Sequence, residues 1–214
     1  MIQLEKVGFI AGGETILADI SFAVTKGDFL TISGPSGGGK STLLKIVASL
    51  LTATSGKILF EDRDLAELNP VTYRREVSYC FQQPALFGET VADNLRFPFE
   101  IRGETYDEGR AVELLSRVAL GKSYLQKSIN EISGGEKQRV ALIRNLMFPP
   151  KVLLLDEVTT GLDEVSQQIV WQLISDSNQE GITILQVTHD RQEIAAAKQL
   201  LTIEGGKISE LKRF

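Results

Sequence analysis

The chain has 214 residues, 43% of them hydrophobic, with a formal net charge of −5 and a pI near 5.1. That length supports one substantial core, or one core carrying a smaller subdomain, without covalent staples. The acidic balance argues against a nucleic-acid partner, because counter-ion release needs a basic face. The single cysteine, Cys80, cannot form an internal disulfide, and its apolar setting in Val77-Ser78-Tyr79-Cys80-Phe81 reads as a buried thiol in a reducing cytosol. No run reaches the ~18 apolar residues of a spanning helix, and Met1 to Lys6 lack the layout of a signal peptide, so a cytoplasmic chain is expected.

The first part reads as strands over Ile2 to Val7, Ile16 to Val24 and Phe29 to Ser33. A glycine cluster follows, then an apolar helix through Leu43, Leu44, Ile46, Val47 and Leu50, and strands near Ile58 to Phe60 and Val77 to Phe81. From Pro84 to Met147 the spacing turns helical, as in Val112, Leu114, Leu115 and Val118, which predicts a helical subdomain inserted into an α/β core. The continuously apolar runs Val152 to Leu155 and Ile182 to Val187 suit parallel strands buried on both faces, and the helix predicted between them, Glu164 to Ser177, completes a βαβ crossover.

The strongest chemical signal is Gly34-Pro35-Ser36-Gly37-Gly38-Gly39-Lys40-Ser41, a phosphate-binding pattern placed after a strand and opening a helix that continues with Thr42. Its glycines let backbone N–H groups close around phosphates at a helix N-terminus. Lys40 is expected to reach the terminal phosphates of ATP and Ser41 to ligate Mg²⁺. Val152 to Glu157 is a buried strand delivering two acids at its carboxyl end, where open α/β sheets bind ligands. Asp156 is placed to hold Mg²⁺, directly or through water, and Glu157 to act as general base toward the γ-phosphate. A third element, Ile132-Ser133-Gly134-Gly135-Glu136, opens a helix and makes a second anion-binding turn on one chain.

With that third element the sequence resembles the ABC ATPase family, whose signature motif usually ends in glutamine where this chain has Glu136. The resemblance implies an α/β P-loop NTPase core, about residues 1–83 and 148–214, with an N-terminal antiparallel β subdomain and an inserted helical subdomain, about 84–147. The whole, 1–214, would be one ATPase domain. It also implies that Ser133, Gly134, Gly135 and Glu136 of one subunit contact ATP held by the phosphate loop of a second ATPase subunit, as in a homodimer. Gln82 resembles the glutamine that links Mg²⁺ and the attacking water to the helical subdomain. Asp163, in Gly161-Leu162-Asp163, resembles the acid of the dimer-interface loop. His189, the chain's single histidine, resembles the switch histidine that contacts the γ-phosphate.

The resemblance further implies a separate transmembrane permease subunit, contacted near Gln82 and Pro84 to Arg102, and a place on the inner face of the cell membrane. Lys45 to Leu50, Val77 to Cys80 and Ile143 to Leu146 look like the bacterial Fet-type iron-export ATPase subunits. Departures matter too. Where the family commonly stacks an aromatic on adenine, 23 positions before Gly34, stands Ala11, with Phe9 the nearest substitute. The charge of Glu136 beside the signature turn is expected to slow closure on ATP. Two rival readings are a soluble ATPase of iron–sulfur assembly and a nucleotide-gated regulatory module of low turnover; intact Glu157 and His189 argue against the second.

Overall fold

In a computed structural model that describes residues 1–213, the chain opens on two long strands, β1 (Ile2–Ala11) and β2 (Glu14–Val24). Gly12 and Gly13 join them with φ of 59° and 83°, the left-handed pair that a two-residue hairpin requires. There follow β3 (Phe29–Ser33), α1 (Lys40–Val47), β4 (Ser55–Phe60), β5 (Arg63–Asp64), α2 (Pro70–Glu76) and β6 (Val77–Cys80). Next come α3 (Val91–Glu100), α4 (Glu108–Arg117), α5 (Gly134–Leu146), β7 (Val152–Asp156) and α6 (Glu164–Gln179). The chain closes with β8 (Thr183–Val187), α7 (Arg191–Ala195), β9 (Gln199–Glu204) and β10 (Lys207–Arg213).

These elements fall into two compact units. The first comprises, among the described residues, 1–79, 151–157 and 178–213. It holds an antiparallel sheet of order β2-β1-β4-β5 and a second sheet of order β10-β9-β3-β8-β7-β6. In the second sheet β3 runs parallel to β8 and β9, and β7 parallel to β8. Every residue of β7 and of β8 is buried, as the unbroken apolar runs predict. One hydrophobic core joins Ile2, Leu4 and Ile20 of the antiparallel sheet to Leu30, Ile32, Leu154 and Leu185 of the other and to Leu43 and Ile46 of α1.

Helix α1 ends at Val47 rather than reaching Leu50. Ser49 takes a left-handed φ of 56°, its N–H bonding Ile46 O while Leu50 N–H bonds Lys45 O, so the apolar pattern runs past a Schellman stop. The sequence reading placed no element at α2, although Asn69 caps it through bonds to Val71 and Thr72 N–H and Pro70 occupies its first turn. Nor did it place β9 and β10, a hairpin turned by Gly205 and Gly206 at φ 54° and 74°.

The second unit, residues 80–150 and 158–177, is helical. Val91, Leu95, Leu114, Leu115, Val140 and Ile143 from α3, α4 and α5 are fully buried in it. Thr90 and Asp93 form a capping box at α3, and Ser133 and Glu136 form another at α5. Cys80 is buried, as expected, and burial pushes its thiol up to about 12. The α/β fold class with its antiparallel sheet and helical region agrees with the expectation from sequence.

Candidate active site

Strand register assembles the site in the first unit. Ile32 on β3 pairs with Val187 on β8, and Val187 pairs with Asp156 on β7. All three strands end within a residue of that row, so Gly34, His189 and Glu157 leave the sheet side by side at its carboxyl edge. Two backbone bonds tie the exits together, Thr188 N–H to Ile32 O at 3.2 Å and Glu157 N–H to Val187 O at 3.1 Å.

The loop from Gly34 to Gly39 depends on glycine for space as well as for torsion. A Cβ on Gly34, whose φ is 133°, would lie 2.0 Å from the carbonyl oxygen of Ile203. Gly39 caps α1 at φ 95° and gives its N-terminus no side-chain hydrogen bond, which leaves the first-turn N–H groups as anion donors. Pro35, Ser36 and Gly37 are exposed, and Thr42 is half-buried on the first turn. Lys40 is only 4% exposed; its Nζ donates to Gly34 O at 2.9 Å and Pro35 O at 2.8 Å. Burial lowers the Lys40 pKa, against the pull of Glu157 and Asp156, which favour the charged ammonium.

Asp156 is 6% exposed and both its oxygens are engaged: Oδ1 accepts from Ser41 Oγ at 2.7 Å and Oδ2 from Tyr79 OH at 2.6 Å. Its neighbour Glu157 adopts a left-handed φ of 51° where the chain leaves β7. Glu157 Oε1 accepts from His189 Nε2 at 2.7 Å, and the imidazole remains exposed. Behind His189, Asp190 caps α7 through Gln192 and Glu193 N–H, and the Gln186 amide donates to the buried Glu193 carboxylate. The serine hydroxyl and aspartate carboxylate are hard oxygen donors that suit a small divalent cation completing its shell with phosphate and water. Among the described residues, no group of three or more His, Cys, Asp and Glu side chains could hold a metal ion unaided.

The other predicted residues lie in the second unit. Gln82 is exposed in the segment after β6. Ser133 caps α5, with Gly134 and Gly135 opening its first turn. A Cβ on Gly135 would come within 2.7 Å of Ser166 Oγ, so glycine there permits close approach to the start of α6, where Asp163 Oδ1 accepts from Ser166 N–H at 2.9 Å. Glu136 does not present a bare charge at the signature turn. Its carboxylate accepts from Ser133 N–H at 2.7 Å and from Tyr124 OH, and these bonds, Tyr124 first, hold it below the usual glutamate range. Tyr79 and Tyr124 escaped the sequence reading. Tyr79 lies 77 positions from Asp156, so no local spacing announces the contact.

A P-loop ATPase core with a second, glycine-opened helix N-terminus defines the class, and comparison with known proteins agrees. The ABC transporter family model matches residues 17–160. The "Probable iron export ATP-binding protein FetA" of Escherichia coli K12 is 50% identical over 99% of this chain and 96% of its own length. The spermidine/putrescine import ATP-binding protein PotA of Mycoplasma capricolum is 37% identical over 99% of this chain, which spans only 61% of it. A dimeric ATP-binding cassette in a post-hydrolysis state, bound to ADP and phosphate, superposes with a TM-score of 0.89 at 28% identity, covering 100% of this chain and 98% of that one. The chain belongs to the ABC transporter family, as an ATP-binding, ATP-hydrolysing subunit.

Proposed function

We propose that the chain hydrolyses Mg-ATP at the carboxyl edge of β3, β7 and β8 to drive a separate membrane-embedded permease, and that the cargo is iron moving outward. The observation that carries the chemistry is the pair of 2.7 Å contacts there, Ser41 with Asp156 and His189 with Glu157. The loop N–H groups of Gly34 to Thr42 bind the phosphates, and Lys40 neutralises the terminal ones. Ser41 and Asp156 would hold Mg²⁺, with Gln82 as a further oxygen donor, and the ion would supply positive charge to the terminal phosphates.

Glu157 takes the proton of a water as that water attacks the γ-phosphorus, and the bond to the β–γ bridging oxygen breaks to leave ADP and phosphate. His189 orients Glu157 and reaches the γ-phosphate. Ser133, Gly134, Gly135 and Glu136 of a second copy close the site, and Asp163 lines the surface between the copies. The single domain 1–214 thus functions as half of an ATP-sandwich dimer. A dimeric solved relative supports that assembly.

Partner and cargo rest on other observations. Among the described residues no helix is long and apolar enough to cross a membrane. Phe81, Phe87, Phe97 and Ile101 are 51%, 40%, 39% and 50% exposed, an apolar surface suited to a permease helix at the inner face of the membrane. Phe99, in the same segment, is buried and belongs to the core of its own unit. The name of the 50% identical relative supports iron export, and the transporter names of the relatives support this reading over soluble iron–sulfur assembly. Glu157→Gln tests the chemistry: turnover should fall by at least ~100-fold with ATP affinity retained, and undiminished turnover rejects Glu157 as the base. Co-purification from detergent-solubilised membranes tests the partner, with recovery of soluble assembly proteins alone as the contrary result.

A further inference from the structure

We infer that Tyr79 is a positioning residue for the metal-holding carboxylate, fixing the orientation of Asp156 from the sheet while Ser41 approaches it from the phosphate loop. The inference rests on the assignment of Mg²⁺ to Ser41 and Asp156. Tyr79 stands on β6, the strand next to β7 in the sheet order, with its ring packed against the core of the first unit. Its hydroxyl donates to Asp156 Oδ2 at 2.6 Å, and Ser41 Oγ donates to Oδ1 at 2.7 Å.

The two bonds do different things. Rotation of an aspartate carboxylate about its last torsion is broad and nearly two-fold, so a bond to one oxygen leaves the plane of the group poorly determined. A second donor on the opposite oxygen removes that freedom. Ser41, in the first turn of α1, would lend its own oxygen to the metal, so it cannot serve as a fixed reference. Tyr79 can, because its ring is held by strand packing and its hydroxyl is spent on the face of Asp156 away from Ser41. With Asp156 only 6% exposed, loss of the phenol leaves Oδ2 short of a donor that solvent cannot readily replace.

Tyr79→Phe removes one oxygen and keeps the ring. Binding of a fluorescent ATP analogue is measured in EDTA and across a Mg²⁺ titration for the parent, Tyr79→Phe and Asp156→Asn. Tyr73→Phe serves as control, because it deletes a buried tyrosine hydroxyl of the same unit, donating to Val47 O at 2.6 Å, away from the site. The Mg²⁺ concentration giving half of the metal-dependent tightening should rise ~10-fold in Tyr79→Phe, the scale of one charge-assisted hydrogen bond, with metal-free affinity within about twofold of the parent. Tyr73→Phe should lower Tm and leave the Mg²⁺ requirement in place. The inference is overturned if Tyr79→Phe keeps the parent's Mg²⁺ requirement, or if it loses metal-free affinity and Tm with no separate effect on Mg²⁺. If the parent shows no metal-dependent tightening, or Asp156→Asn retains it, the metal assignment itself fails and the positioning role falls with it.

Discussion

Glu157, the proposed general base, sits on an unfavourable backbone. Its φ of 51° lies in the left-handed region, which costs an L-residue roughly 1–2 kcal/mol relative to glycine. The two acids at the end of β7 have separate partners, Asp156 meeting Ser41 and Glu157 meeting His189. Comparing Glu157→Gly with Glu157→Ala isolates the backbone cost, since neither variant keeps the carboxylate. Chemical denaturation should find the glycine variant more stable by about 1 kcal/mol, the reverse of the order in a helix interior.

Glu136 offers a pH test at the same scale. Bonds from Tyr124 and Ser133 hold its folded-state pKa below the unfolded one. A depressed carboxylate stabilises the fold above the unfolded value, about 4.3, and loses that contribution as pH falls through the folded value. Tyr124→Phe should therefore lower Tm by about 2–4 °C at neutral pH, and the gap between variant and parent should narrow below pH ~4. A gap that stays constant into acid would mean that the charged form of Glu136 is not what Tyr124 stabilises.

At the scale of elements, the second unit depends on one buried amide. Asn94, fully buried on α3, donates through Nδ2 to Phe87 O at 2.8 Å and to Thr90 O at 3.0 Å, while Oδ1 accepts from Phe87 N–H and Arg144 Nη1, each at 3.1 Å. It thereby fixes the segment that carries Phe87 to the start of α3. Asn94→Ala removes four hydrogen bonds made by a fully buried side chain and should cost roughly 2–4 kcal/mol by denaturant titration, with proteolysis appearing first between 84 and 90.

Nothing in the local sequence marks Asn94 as special, because its partners are reached through space. The phosphate loop is different, since each of its glycines answers a local demand of torsion or space that the spacing itself displays. Helix α2 and the β9–β10 hairpin sit between these cases. Asn69-Pro70 and Gly205-Gly206 are readable cap and turn signals, but α2 buries only Tyr73 and β10 is almost wholly exposed, so neither carries an apolar repeat. The contacts of Asp156 with Ser41 and Tyr79 lie beyond any local pattern, because strand order in the sheet and not sequence distance brings them together.

At the scale of the whole molecule, one chain carries both a phosphate loop, in its first unit, and a signature turn, in its second. If each nucleotide is held by the loop of one copy and the turn of the other, a symmetric pair contains two composite sites, and every defect is shared between partners in a defined way. Lys40→Ala disables the loop and leaves the turn. Ser133→Arg disables the turn, placing a bulky cation at the helix N-terminus, and leaves the loop. Each homodimer should be inactive. A mixed dimer concentrates both lesions in one site and keeps the other intact, so an equimolar mixture should recover roughly a quarter of parental ATPase activity, from half the dimers with one of two sites working. Recovery should depend on protein concentration, since the mixed species forms by association. A mixture as inactive as its components would show that loop and turn act within one copy, or that the two sites must fire together. Glu157→Gln separates these outcomes, because nucleotide-dependent doubling of mass in sedimentation retains the sandwich, and a persistent monomer rejects it.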